Sequence, residues 1–97
     1  MQGYLDIADG GVLEGWVRDL DNLGRAVGIE VVVDGVAVGR SVANVHRRDL
    51  EELGVGTGRH GYRVVAPAGV ELTRVTLRRG SDGAALPGFG DAMRRAA

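Results

Sequence analysis

Gly54, Gly56 and Gly58 recur at every second position, and His60 follows two residues later. A glycine-rich loop can cradle phosphate, because bare backbone N–H groups approach the anion closely. The order of elements argues against that use here. A dinucleotide site needs its loop after a strand and before a helix, whereas this loop follows a short helical pattern and precedes a strand. The chain has no Lys, so a P-loop is excluded. His46 and His60 are its two histidines. A metal site needs three or four converging ligands, and His60 would have to recruit distant carboxylates. Hydrogen bonding of His60 to loop backbone beside Gly61 is the simpler reading. Ser41 and Ser81 are the only serines, and neither sits in a G-x-S-x-G elbow. Asp19, Asp21 and Asn22 could offer oxygens to Ca²⁺, but Leu23 and Gly24 follow where a calcium loop continues toward a bidentate Glu. They read as an Asx-type turn. No catalytic, cofactor-binding or metal-ligating residue is expected, and the chain reads as a non-enzyme.

The charges narrow the partners. Twelve basic residues, all Arg, face 13 acidic ones for a net charge of −1. That balance gives no global field to draw nucleic acid or an anionic membrane. Arg78 and Arg79 are adjacent in a strand pattern and point to opposite faces. Arg48 with Asp49, Glu51 and Glu52 reads as a solvated helical face. Nucleic-acid binding is not expected, since no aromatic residues interleave with the arginines. No apolar run has membrane-spanning length, and no signal-peptide pattern is visible at the start. Cysteine is absent, so the redox compartment stays open.

The elements that must position any site are β-rich. Val, Leu, Ile and Ala supply most of the apolar residues, and only Tyr4, Trp16, Tyr62 and Phe89 are aromatic. Strand patterns run over residues 4–8, 12–19, 27–34, 36–42, 62–66 and 70–79, with a short one at 84–86. Neither face of 12–19 is cleanly apolar. Asp34-Gly35 between two Val-rich runs is a type I′ hairpin signal. Residues 47–53 predict one or two helical turns, with Leu50 and Leu53 three apart, Asn44 as N-cap and Gly54 as C-cap. Residues 54–61 read as a glycine-dense loop. The sum predicts an all-β, antiparallel, two-sheet sandwich of immunoglobulin or fibronectin III character with one short helical turn. The domain is expected over 1–90, with a frayed or weakly helical tail over 91–97. As the single Trp, Trp16 is expected to anchor the core.

Gly15-Trp16, Val33-Asp34-Gly35, Arg47-Arg48-Asp49-Leu50, Gly54-Val55-Gly56 and Gly58-Arg59-His60-Gly61-Tyr62 together resemble a small β-sandwich module of bacterial proteins. That module often stands beside glycosyltransferase or other surface-glycan domains. The resemblance covers residues 12–67. It implies an accessory, non-catalytic role: carbohydrate contact, or docking to a protein partner. A self-associating assembly subunit acting through strand edges, such as 4–8, is the alternative. Tyr4, Arg59, His60 and Tyr62 are the candidate contact residues. In architectural terms, Asp49 is expected to brace the helical turn and Leu50 to plug the sandwich end.

Overall fold

The computed structural model of the chain describes residues 1–88. Its elements are β1 (Gln2–Asp9), β2 (Val12–Arg18), β3 (Gly28–Val33), β4 (Val36–Val42), β5 (Val45–His46), α1 (Arg48–Glu52), β6 (Arg59–Val65) and β7 (Val75–Arg79). Every ladder is antiparallel. One sheet has the order β1-β2-β6-β5 and the other β4-β3-β7. An all-β chain of two sheets is therefore what the strand patterns become.

Two hairpins start the sheets. Gly10 and Gly11 join β1 to β2, and Asp34 and Gly35 join β3 to β4. All four have positive φ, from 50° at Asp34 to 83° at Gly35, as type I′ turns require. Asp34 is the one non-glycine residue of this kind among the described residues. Arg74 donates from Nε to both its carboxylate oxygens, at 3.1 and 3.3 Å. That pairing holds the Asp34 carboxyl below its usual range.

Alternation builds the core. Leu5, Leu13, Val17, Tyr62 and Val64 point inward from the four-stranded sheet; Ile29, Val31, Val75 and Leu77 meet them from the other. Ala43, Val27 and Leu86 close the ends. β4 differs, because as an edge strand it exposes Val36, Val38 and Val42.

Several expectations need correction. Asn44 does not cap the helix. Residues 45–46 pair with β6 instead, so extended backbone runs through Arg47, which is itself the N-cap. The far end matches: Gly54, at φ 75°, donates its N–H to Glu51 and Val55 donates to Leu50, a Schellman closure. Leu50 is buried, but Leu53 is 77% exposed. β6 begins at Arg59, three residues earlier than expected, so His60 and Gly61 are strand residues rather than loop. Residues 70–79 divide into a 3-10 turn, Leu72–Arg74, and β7. The strand expected at 84–86 is a single bridge from Ala85 to Arg78. Trp16 is only half-buried and is not part of the core cluster. The expected tail over 91–97, and Phe89, lie outside the described residues.

Candidate binding face

The outward side of the four-stranded sheet gathers the most chemistry. In β2 the inner positions are Leu13, Gly15 and Val17, all buried, and the outer ones are Val12, Glu14, Trp16 and Arg18. Trp16 pairs across the ladders with Tyr4 on β1 and Gly61 on β6. These three form one row on the outer face, since directly opposed residues point the same way.

Gly61 leaves a gap in that row, and Arg47 fills it. A side-chain carbon at Gly61 would stand 3.0 and 3.1 Å from Cγ and Cδ of Arg47. The Arg47 guanidinium then reaches in two directions. It forks onto Asp49, donating from Nε at 3.1 Å and Nη2 at 2.7 Å, and it pairs through Nη1 with Asp6. Asp6 is available because β1 bulges there: Leu5 opposes Gly15 and Ile7 opposes Glu14, with Asp6 skipped. A bulge re-aims its extra side chain. The fork lowers the Asp49 carboxyl below its ordinary range. Asp49 thus braces the helical turn as expected, but through Arg47. Beside this network Arg63 donates to Glu14 at 3.0 Å. Asp6, Ile7, Glu14, Val45, Arg47 and Arg63 border a shallow hollow of about 320 Å³.

At the other end of the face, Arg18 donates from Nε to Gln2 at 2.7 Å. Arg59 lies two residues beyond Gly61 and is exposed. Arg59 opposes His46, whose Nε2 lies 2.5 Å from a Glu51 oxygen.

The four residues expected to contact a ligand divide between two environments. Tyr4, 42% exposed, and Arg59 belong to the outer face. His60 and Tyr62 point into the sandwich and are buried. The Tyr62 ring runs beneath Gly15, where a side-chain carbon would stand 2.7 Å from its hydroxyl. Burial pushes the Tyr62 phenol above its usual range, and Asp6 adds to the effect. The His60 ring packs against Gly56; burial, then the nearby Arg18 charge, lowers its pKa and favours the neutral ring. Neither ring nitrogen of His60 nor the Tyr62 hydroxyl has a hydrogen-bond partner among the described residues. The backbone hydrogen bond expected for His60 is therefore not formed. These two side chains, with Gly15 and Gly56, support the face from beneath.

Trp16 is a further residue that sequence reasoning misplaced. The signal was present, because Trp16 shares its alternation with two charged residues, Glu14 and Arg18, while Leu13, Gly15 and Val17 share the other.

A larger hollow, about 600 Å³, lies elsewhere, between Asn22, Arg25, Arg40, Ser41, Arg79 and Ser81. It has no aromatic lining residue, and its Arg79 is tied to Asp19 and Asp82. No group of three or more His, Cys, Asp or Glu side chains that could hold a metal ion occurs among the described residues. No described helix is long and apolar enough to cross a membrane. No protein-family model, curated protein sequence or solved structure matches the chain.

Proposed function

We propose that this chain is a non-catalytic binding module of the bacterial, glycan-associated kind that its motif resembles, and that it contacts carbohydrate through the outer face of the four-stranded sheet. The observation that carries this is the outward position of Trp16, with Tyr4 opposite it on β1. An aromatic ring that the core does not use can stack on the apolar face of a sugar, and Trp and Tyr supply contact area at low conformational cost. The motif residues build a support for that ring. Gly15 admits Tyr62, Gly61 admits Arg47, and Asp49 locks Arg47.

An immunoglobulin-like fold belongs to the same proposal. Sheets ordered β1-β2-β6-β5 and β4-β3-β7 correspond to strands A-B-E-D and C′-C-F of that architecture. The Arg78–Ala85 bridge stands where strand G would begin.

Trp16 is the only tryptophan, so its fluorescence reads the face directly. Titration with a panel of oligosaccharides should shift its emission at up to millimolar concentration. By calorimetry Trp16→Ala should weaken binding at least about tenfold with the fold retained. If no sugar binds, or if Trp16→Ala binds as well as the parent, this reading fails.

A second reading, self-association through a strand edge, is favoured by β4, whose Val36, Val38 and Val42 are exposed on an edge that pairs with no further strand among the described residues. Light scattering tests it. A dimer that Val38→Lys dissolves would support it, and a strict monomer at high concentration would rule it out.

A further inference from the structure

The charges around Trp16 specify the ligand more closely. On the outer face the acids near the ring and the arginines are already committed: Asp6 and Asp49 to Arg47, Glu14 to Arg63, and Glu51 to His46. Asp9 sits at the far end of β1, opposite Val12. The arginines are not balanced in the same way. Arg18 and Arg59 each lie two residues beyond the Trp16–Gly61 pair, at the same end of neighbouring strands. By alternation both point to the outer face, as Trp16 does. Among the described residues neither has a carboxylate partner. Arg18 has only the neutral amide of Gln2, and Arg59 forms no side-chain hydrogen bond.

Two unneutralised guanidinium groups at one end of a sheet repel each other. Across the same chain, Arg47, Arg48, Arg63, Arg74, Arg78 and Arg79 are all paired with acids. Arg25 and Arg40 also lack a carboxylate partner among the described residues, but they line the separate hollow beside Ser41 and Ser81, so Arg18 and Arg59 are the unneutralised pair beside Trp16. Guanidinium groups recognise carboxylate, sulfate or phosphate oxygens by forked, charge-assisted hydrogen bonds. A sugar ring on Trp16 would carry an acidic substituent toward them.

Resting on the carbohydrate reading above, we infer that the ligand is an anionic glycan, its sugar ring stacked on Trp16 and its acidic group held by Arg18 and Arg59. Net charge of the chain is −1, so the attraction is confined to this row and suits a short acidic sugar better than a long polyanion.

The test uses the whole chain and matched probes: oligogalacturonate, the same oligosaccharide with its carboxyls methyl-esterified, a sulfated oligosaccharide, a neutral oligosaccharide panel, and single-stranded oligo-dT. Calorimetry and Trp16 fluorescence report binding at low and high NaCl. The expected result is binding of an acidic sugar that weakens with salt. The ester should bind at least about tenfold more weakly, and Arg18→Gln and Arg59→Gln should each lose about tenfold, with melting temperatures unchanged. Preference for sulfate over carboxylate would identify the acidic group. Equal binding of ester and acid, or full affinity in both arginine variants, overturns the anionic assignment and leaves the carbohydrate reading standing. Oligo-dT binding tighter than any sugar, or no sugar binding at all, overturns both.

Discussion

Replacing Gly15 with alanine should destabilise the domain by about 2–3 kcal/mol, near the upper end of what overpacking costs. The added carbon has no free volume. It collides with the backbone carbonyl oxygen of Tyr4, and it stands 2.7 Å from the Tyr62 hydroxyl and 2.9 Å from the ring carbon bearing it. The Tyr62 side chain could relax only by leaving the core, where it is buried between the sheets. The β1 backbone could move only by breaking its ladder with β2. A native domain holds only about 5–15 kcal/mol in total, so the urea midpoint should fall sharply at unchanged slope. Combining Gly15→Ala with Tyr62→Phe should recover only a fraction, because the clash with β1 remains. A midpoint unchanged by Gly15→Ala would mean that β1, β2 and Tyr62 do not pack as described.

The second large effect separates two leucines that the sequence presents as equivalent. Leu50→Ala should cost about 2–3 kcal/mol, the lower half of the range for emptying a buried leucine site. Leu53→Ala should stay within about 0.5 kcal/mol, as for other exposed positions. Leu50 is 2% exposed and receives the Val55 N–H on its carbonyl. Leu53 is the residue at which α1 ends and the chain turns away. Denaturation of the two variants side by side checks this. Equal losses would place both leucines in the core and contradict the helix end drawn here.

The Asp34-Gly35 hairpin was set by residue type alone, because a type I′ turn needs positive φ at both central positions and few residues tolerate it. The Val-rich runs determined β3 and β4 for the same local reason: branched side chains suit the pleat. Gly54 ended the helix through its own backbone freedom.

What went astray depended on partners distant in sequence. Asn44 looked like a cap until β6 claimed residues 45–46. Gly61 looked like the end of a loop, but it is a mid-strand residue kept small because Arg47 crosses it. Of the expected contact residues, Tyr4 and Arg59 reach the outer face, while His60 and Tyr62 are turned inward by the alternation of β6. The most consequential case is Trp16. Its identity promised a core anchor, yet the register that puts Leu13 and Val17 inside puts Trp16 outside.

By itself the sequence determined an antiparallel β-rich chain, its β3–β4 hairpin and its helix stop, because each rests on conformational preferences within a few residues. Only the tertiary structure decided which face of β2 is covered, which glycines exist for the sake of a crossing side chain, and that Arg18 and Arg59 share an end with Trp16. Those facts follow from pairing between strands tens of residues apart, and a one-residue change of phase reverses every one of them.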